Sequence, residues 1–319
     1  MAGILVVAEA AADGVSASSL ELLGAAQQLS SQGGGAVSAF VAGQGGAQAL
    51  LQHGASTVYV GTNAALASGM AEVLQPAVQA AIEQSGADIV LLAQSSLGRD
   101  LAPALAFANK TGAAMDCVEL KINGGRLRAT RAAFGGNARA EHTWTAPLQI
   151  VTVKGKSFDA PEAGAGGGET KTIDAAGAAR INVLGISKAE TTGIKLEDAA
   201  VVVSGGRGLG DADAFKMLED LAATMKVAAV GASRAACDLG WDPPAQQVGL
   251  TGKTGSPNLY IAVAVSGASQ HMAGMAGSKN IVAINKDADS NMVKVSKFAI
   301  IDDYKKVVPA LIEEIKKLG

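Results

Sequence analysis

Residues 199–210 read AAVVVSGGRGLG, an apolar run followed at once by a segment rich in glycine. The apolar run predicts a buried strand, and the glycines predict a tight turn after it. Phe215, Leu218, Ala222 and Met225 then recur at helical spacing, with Asp211 or Asp213 available to cap the helix. A strand, a turn and a helix in this order are typical of a parallel α/β sheet.

Four further apolar runs continue the alternation toward the C-terminus: residues 227–230, 258–264, 280–284 and 298–301. A last helix carries Val307, Val308, Leu311, Ile312 and Ile315 on one face, and Pro309 is expected in its first turn. Together these elements predict a doubly wound parallel sheet of five strands.

All five predicted strands end in small or polar residues. The carboxyl ends of parallel strands lie at one edge of a sheet, and ligands bind in the crevice there. We therefore expect residues far apart in sequence to converge at this edge, namely Arg207, Ser233, Arg234, Ser266, Gln270, His271, Asn285 and Asp303.

The glycines and arginines at this edge indicate a phosphate ligand. Glycine lets backbone N–H groups approach a ligand closely, and guanidinium groups with hydroxyls favour phosphates, most simply a dinucleotide pyrophosphate. A plain tight turn remains the alternative for residues 205–210, because their G-x-G-x-G spacing is one residue short of the dinucleotide motif. Residues 249–254, GLTGKT, end like an ATP-binding loop, but that motif would need a glycine at Gln247, so we reject ATP hydrolysis there.

The N-terminal half shows a similar alternation of strands and helices. Strands are predicted at 3–8, 36–41, 57–60 and 88–93, and helices near 16–30, 44–52, 70–85 and 99–110. Strand-rich sequence after residue 114, with a turn at Asn123-Gly124-Gly125, predicts an added hairpin or a long edge element. Residues 160–169 are expected to form an exposed loop and 187–198 a polar connection, so we predict one domain for residues 1–188 and a second for 189–319.

Composition excludes several classes of protein. The formal charge of −3 leaves no basic excess for binding nucleic acid. The three histidines and two cysteines show no metal-ligand spacing, so we expect no metal site. We see no basic region for a secretory signal and no apolar stretch long enough to insert in a membrane, and two cysteines fit a reducing compartment. We therefore expect a cytoplasmic protein.

The runs GGRGLG, GASRAACDLGW, QVGLTGK, LYIAVAVSGASQHMAGM and IVAINKD follow one another in residues 199–319. In this order and spacing they resemble the alpha subunit of electron-transfer flavoprotein, and ADIVLLAQSSLGRDLAPALA and FGGNARAE extend the likeness to the N-terminal half. The resemblance implies an α/β fold in two domains: an N-terminal nucleotide-hydrolase-like sheet for assembly, and a C-terminal doubly wound sheet that binds FAD. It also implies a heterodimer with a beta subunit.

By the same resemblance, Arg207 and Ser233 contact the pyrophosphate region and Arg234 lies against the isoalloxazine ring. Thr251 bonds near flavin N5, His271 meets the pyrimidine edge, and Asn285 and Asp303 contact the adenosine end. The full set of implied cofactor-binding residues is Arg207, Ser233, Arg234, Gln247, Val248, Gly249, Leu250, Thr251, Ser266, Gly267, Ala268, Ser269, Gln270, His271, Asn285, Asp303 and Tyr304. The chain departs from the family pattern at Leu250, at Ser269 and at 290–293.

The function that this resemblance implies is an electron carrier rather than an enzyme. FAD would accept electrons from acyl-CoA dehydrogenases or other flavin dehydrogenases and deliver them to a membrane-bound quinone oxidoreductase. An electron-bifurcating form, with NADH as donor and a second flavin in the partner, is an alternative. A nicotinamide-dependent oxidoreductase is a second alternative, which the incomplete glycine spacing and the lack of a general base disfavour. A nucleotide-sensing or scaffold module is a third. With only 11 Phe, Trp and Tyr residues to cover a flavin, we expect the partner subunit to complete the site.

Overall fold

A computed structural model describes residues 3–11, 14–134, 138–181, 183–184 and 193–318. The chain divides into two compact units, residues 1–133 with 137–186 and residues 134–136 with 187–319. The boundary predicted between residues 188 and 189 lies in the segment 185–192, outside the described residues.

The N-terminal unit contains most of the described strands. These are β1 (Gly3–Ala8), β2 (Ala10–Ala11), β3 (Gly14–Val15), β4 (Ala36–Ala42), β5 (Thr57–Gly61), β6 (Ile89–Ala93), β7 (Ala113–Asn123), β8 (Arg126–Ala133), β9 (Ala138–His142), β10 (Gln149–Val153) and β11 (Glu169–Ile173). The helices are α1 (Ala17–Leu29), α2 (Ala47–Gln52), α3 (Ala71–Ser85) and α4 (Ser96–Ala108).

One sheet organises this unit, in the order β11-β5-β4-β1-β6-β10-β7-β8-β9. The strands from β11 to β7 are parallel, whereas β8 pairs antiparallel with both β7 and β9. Buried residues of α1 and α2 pack on one face and those of α3 and α4 on the other. The predicted α/β unit with an added hairpin at one edge is confirmed.

The C-terminal unit is a smaller α/β sandwich. Its strands are β12 (Val201–Gly205), β13 (Ala228–Ala232), β14 (Leu259–Val263), β15 (Asn280–Asn285) and β16 (Phe298–Ile301). Its helices are α5 (Ala214–Ala223), α6 (Arg234–Asp238), α7 (Ser269–Met275), α8 (Asn291–Val295) and α9 (Tyr304–Leu318).

All five strands of this unit are parallel, in the order β13-β12-β14-β15-β16. Residues of α5, α6 and α9 pack on one face, and residues of α7 and α8 pack on the other. This confirms the predicted doubly wound sheet. The chain runs outward in opposite directions from β12, so the order reverses between β12 and β14, which is where such sheets bind ligands.

Helix α9 and strand β11 differ from the sequence predictions. Helix α9 begins at Tyr304 because the Asp303 carboxylate accepts a hydrogen bond of 3.0 Å from the backbone N–H of Lys305. Pro309 therefore lies in the second turn of the helix, not the first. Strand β11 was not predicted, because four of its five residues are exposed and it has no apolar run.

Neither a membrane-spanning helix nor a metal-ligand cluster is found in the described residues. No helix in the described part of the chain is long and apolar enough to cross a membrane. No cluster of three or more His, Cys, Asp or Glu side chains in the same residues could hold a metal ion.

Candidate cofactor-binding site

A cleft of about 620 Å³ opens at the carboxyl edge of the C-terminal sheet, beside the reversal between β12 and β14. This volume falls within the roughly 300–1,000 Å³ of small-molecule sites. Of the 17 predicted cofactor-binding residues, those that line the cleft are Arg207, Ser233, Arg234, Gln247, Val248, Gly249, Leu250, Thr251, Ser266, Ala268, Gln270, His271 and Asn285. The structure thus brings together residues from the ends of β12, β13, β14 and β15.

Glycine is needed where the chain leaves β12. A Cβ on Gly206 would stand 2.1 Å from the carbonyl oxygen of Ala264, at the end of the neighbouring strand β14. The two strand ends can therefore approach each other only with glycine at this position. Gly206 and Gly208 both line the cleft. The buried Gly206 already donates its N–H to the Val263 carbonyl at 3.0 Å, whereas Gly208 is exposed.

Two arginines give the cleft its positive charge. Arg207 is exposed, and its guanidinium has no hydrogen bond or ion pair with any described residue. Arg234, at the start of α6, is paired with Asp238 one turn later at 3.5 Å, and both side chains are largely exposed. An exposed pair of this kind is weak, so the Arg234 guanidinium can exchange this partner for a ligand.

Ser233 and the loop at 247–251 form one wall. The Ser233 hydroxyl accepts a hydrogen bond of 3.4 Å from the backbone N–H of Ala236 and so caps α6. Gln247 donates through Nε2 to the Thr251 hydroxyl at 3.0 Å, and the backbone N–H of Leu250 donates to the Gln270 carbonyl at 2.7 Å. These bonds hold the loop against the start of α7, while the Leu250 side chain stays 67% exposed.

His271 is the most deeply buried ionisable group of the cleft. Its Nε2 lies 2.8 Å from the hydroxyl of Tyr260, and its Nδ1 is buried without a hydrogen-bond partner among the described residues. Burial lowers the pKa of His271 from 6.5 to about 4, and the Val248 backbone opposes this shift more weakly. The imidazole is therefore neutral at neutral pH and has one ring nitrogen left to bind a ligand.

Asn285 lines the cleft, but its side chain is already engaged. Its Nδ2 donates to the Val265 carbonyl at 3.0 Å, and its Oδ1 accepts from the backbone N–H of Asp287 at 3.1 Å. The amide therefore fastens the loops that follow β14 and β15 to each other. A contact between this side chain and the cofactor would compete with those bonds.

Four predicted residues do not line the cleft: Gly267, Ser269, Asp303 and Tyr304. A Cβ on Gly267, where φ is +80°, would stand 2.4 Å from the Met292 backbone nitrogen, so this glycine allows close packing against α8. The Asp303 carboxylate caps α9 and pairs with Lys286 at 3.0 Å. Tyr304 is buried in the core, where its hydroxyl donates to the Leu209 carbonyl at 2.6 Å.

The cleft also contains residues that were not among the predicted ligands. These are Gly206, Gly208, Ala235, Asp238, Ala264, Val265, Asp287 and Ser290. Asp238 could have been found from its spacing of four residues after Arg234, and Ser290 from its position as a helix cap before Asn291. Ala264 and Val265 carry no sequence signal beyond their place at the end of β14.

Comparisons with known proteins agree with this geometry. Residues 4–186 match the electron transfer flavoprotein domain, and residues 195–276 match the electron transfer flavoprotein FAD-binding domain. The electron transfer flavoprotein subunit alpha of Thermoanaerobacterium thermosaccharolyticum is 39% identical over 94% of this chain and 93% of its own length. The chain belongs to the electron transfer flavoprotein alpha subunit family.

Other relatives extend the match over almost the whole chain. The subunit alpha of Megasphaera elsdenii is 38% identical over 99% of this chain and 96% of its own. Protein FixB of Clostridium saccharobutylicum is 34% identical over 99% of this chain and 97% of its own. Membership in a family of alpha subunits implies a beta subunit as partner.

FAD is the cofactor of the C-terminal unit, and the cleft fits it chemically. Arg207 and the backbone of the glycine-rich turn after β12 suit the negative charges of a pyrophosphate. The buried Nδ1 of His271 lacks a protein partner, and such a group is rarely left unsatisfied in a finished site. A ring carbonyl or ring nitrogen of a flavin could satisfy it.

Proposed function

We propose that this chain, together with a beta subunit, carries electrons on FAD from soluble flavin dehydrogenases, such as acyl-CoA dehydrogenases, to a membrane-bound quinone reductase. The observation that carries the proposal is the state of His271. It is neutral, buried and bonded to Tyr260, and no hydrogen bond among the described residues joins it to a serine or threonine. The cleft therefore lacks an activated nucleophile with its base, which suits a carrier that transforms no substrate of its own.

In this role FAD supplies the group that takes up and releases electrons, and the chain binds and tunes it. Arg207 and Ser233 hold the pyrophosphate region, and Thr251 lies near flavin N5. Arg234 places a positive charge against the isoalloxazine ring, and His271 donates a hydrogen bond to its pyrimidine edge. A cation and a donor near the ring both favour negative charge on it.

The remaining residues of the proposed site act mainly through the backbone. Residues 247–250 line one side of the cleft, and Ser266, Ala268 and Gln270 line the other, with Gly267 and Ser269 behind them. Asn285, Asp303 and Tyr304 hold the loops near the adenosine end of the cofactor. We place the protein in the cytoplasm. Both cysteines, Cys117 and Cys237, are free and buried, as suits a reducing compartment.

The test is to co-express the chain with its beta subunit and to count the flavins. We expect one FAD per heterodimer, reduction of that FAD by an acyl-CoA dehydrogenase with its substrate, and reoxidation by a quinone reductase. No turnover is expected with NADH. Two flavins per heterodimer and rapid reduction by NADH would instead favour the electron-bifurcating alternative, and a bound nicotinamide nucleotide would contradict both.

A further inference from the structure

Three polar side chains lie together in the apolar layer between the C-terminal sheet and helix α7. Tyr260 on β14 and His271 on α7 are 1% and 6% exposed, and their rings meet edge to face with centroids 6.1 Å apart. Ser204 on β12 is fully buried beside them, close enough to influence the pKa of Tyr260. The cluster around them is otherwise apolar and includes Val202, Val248, Ala262, Met275 and Met292. Polar groups in such surroundings cost free energy unless they are hydrogen-bonded.

The bond between Tyr260 and His271 has a direction that these surroundings determine. The Tyr260 oxygen is 2.8 Å from His271 Nε2. Burial raises the pKa of Tyr260, and the Ser204 hydroxyl beside it lowers that pKa by hydrogen bonding, so Ser204 donates to the Tyr260 oxygen. A buried phenol needs an acceptor for its proton, because an unsatisfied O–H loses its full hydration. The hydroxyl therefore donates, and Nε2 accepts with its lone pair.

An accepting Nε2 decides where the imidazole proton lies. A neutral imidazole carries one proton, so the proton must be on Nδ1. Nδ1 is the buried atom without a protein partner, and His271 lines the cofactor cleft. The ring thus presents a donor, not an acceptor, to whatever occupies the cleft.

We propose that Tyr260 is a positioning residue that fixes His271 as the neutral tautomer with its proton on Nδ1, so that His271 can only donate an uncharged hydrogen bond to the cofactor. This inference rests on the proposed function for the cofactor contact, but the tautomer itself is a property of the protein. Negative charge on the cofactor would then be stabilised in two ways in one cleft: by an uncharged hydrogen-bond donor at His271 and by a full positive charge at Arg234.

The arrangement also opposes proton uptake by His271. A second proton would have to bind at Nε2, where it would displace the Tyr260 hydroxyl proton and leave it without its acceptor. We therefore expect His271 to remain neutral when the cofactor becomes more negative. Without the Tyr260 hydroxyl, Nε2 would no longer have to accept a hydrogen bond, and a second proton could bind there without leaving a buried O–H unpaired.

The direct test is ¹⁵N NMR of the full-length chain with its beta subunit, labelled at histidine. The chain has three histidines, and His53 is an internal reference, because its Nδ1 lies 2.7 Å from the Ala49 carbonyl, which can only accept. We expect a pyrrole-type shift for His271 Nδ1 and a pyridine-type shift for Nε2 at neutral pH. A pyrrole-type Nε2, or two pyrrole-type nitrogens, in the native protein would overturn the proposal without any variant.

The variant test is Tyr260→Phe with Tyr59→Phe as its matched control. Both tyrosines are buried on strands, but Tyr59 is in β5 of the N-terminal unit. In Tyr260→Phe we expect the His271 Nε2 signal to move from the pyridine-type position toward the average of two tautomers. Affinity for FAD should fall about 2- to 10-fold, which is the effect of one net hydrogen bond. Tyr59→Phe should change neither the tautomer nor the affinity.

The experiments distinguish failure of the proposed function from failure of the tautomer inference. If His271 has its proton on Nδ1 but the complex carries no FAD, the proposed function fails and the tautomer inference stands. If FAD binds with unchanged affinity and an unchanged His271 spectrum in Tyr260→Phe, Tyr260 does not position the histidine. A Tyr260→Phe protein that does not fold still leaves the native spectrum to decide.

Discussion

The two units each open a cleft of similar size at the carboxyl edge of a parallel sheet, about 620 Å³ in the C-terminal unit and about 630 Å³ in the N-terminal one. Their chemistry is different. The C-terminal cleft is lined by two arginines and a buried histidine with a free nitrogen. The described residues that line the N-terminal cleft include one charged side chain, Glu9, and no arginine or lysine. The sheet provides a cleft in both units, and the loop residues decide what can bind there.

Three polar side chains of the N-terminal cleft, Thr62, Asn63 and Glu9, are already paired with their own chain. Asn63 accepts from the backbone N–H of Ala65 and donates to the Asp174 carbonyl, and Thr62 donates to the Ile173 carbonyl. The Glu9 carboxylate accepts from the Ser95 hydroxyl, and burial raises its pKa although that hydrogen bond lowers it. These bonds fasten the ends of the strands.

The first prediction tests whether the two units are independent. We expect limited proteolysis to cut within residues 187–198 and to leave a resistant fragment of about residues 190–319 that still folds. The reason is that each unit has its own apolar core on both faces of its own sheet. N-terminal sequencing and mass spectrometry of the fragments would locate the cut. Cleavage only inside residues 199–319 would show that the predicted domains are wrong.

The second prediction concerns the partner subunit. No Phe, Tyr or Trp lines the C-terminal cleft in the described residues, and Leu250 at its rim is 67% exposed. A flavin held there would keep an uncovered apolar face, which sites normally bury. We expect the beta subunit to raise the affinity for FAD by about 5- to 150-fold, the usual range of coupling between two ligands. Calorimetric titration of FAD into the lone chain and into the pair measures it. Equal affinities would mean that the cleft is complete alone.

The third prediction is that a buried group in each unit makes stability depend on pH in opposite directions. The pKa of His271 falls from 6.5 to about 4 on folding, so between these pH values the unfolded chain binds a proton that the folded chain does not. Stability from this residue is therefore lost as the pH falls from 6.5 toward 4, by roughly 3 kcal/mol in total. Glu9 acts in the opposite direction, because burial raises its pKa and its ionisation costs stability as the pH rises.

Difference measurements isolate these contributions. Asp242, in the same unit as His271, has its pKa raised from 3.8 to about 6 by burial and acts with the opposite sign. The free energy of unfolding of His271→Gln, subtracted from that of the native protein at each pH, removes this background. The difference should change between pH 6.5 and 4, and the same subtraction with Glu9→Gln should change with the opposite sign. A flat difference for His271→Gln would contradict the lowered pKa.

The fourth prediction tests the positive charge of the C-terminal cleft. Arg207 has no partner among the described residues, so its removal leaves no other group unpaired. We expect Arg207→Ala to weaken FAD binding about tenfold, the low end for a hydrogen bond to a charged group, because the side chain is exposed. The matched control is Arg99→Ala, an exposed arginine on α4 in the other unit. If both variants bind FAD alike, Arg207 does not contact the phosphates.

The sequence predicted most of the architecture because the buried strands carry it. Strand β12 and its glycine turn were predicted from local pattern alone, since small apolar residues and close backbone contacts leave a direct signature. Strand β11 left none, because pairing with β5 rather than burial holds it in the sheet. Pattern cannot detect an element that is stabilised by backbone hydrogen bonds to a distant segment.

The site was predictable in its position but not in its internal bonding. Convergence at one sheet edge followed from topology, and 13 of the 17 predicted residues line the cleft. The roles of the other predicted residues depend on hydrogen bonds that the sequence pattern did not reveal. The Asp303 carboxylate caps helix α9, and the Tyr304 hydroxyl donates to the Leu209 carbonyl. The bond between Tyr260 and His271 joins a strand to a helix, and no spacing rule relates the two positions.

The smallest effect is expected at Arg234. Its positive charge, which the N-terminal cleft lacks, should influence the reduction potential of FAD in the C-terminal cleft. The guanidinium lies in the C-terminal cleft, paired at 3.5 Å with Asp238, and 69% of the side chain is exposed. Solvent screens such a charge, so Arg234→Ala should lower the first one-electron reduction potential of bound FAD by about 1 kcal/mol, or about 40 mV. Arg234→Lys keeps the charge and should restore most of the potential, whereas Asp238→Asn frees the guanidinium and should raise it. Spectroelectrochemistry of the heterodimer measures all three. An unchanged potential in Arg234→Ala with FAD still bound would show that the charge of this cleft serves binding alone.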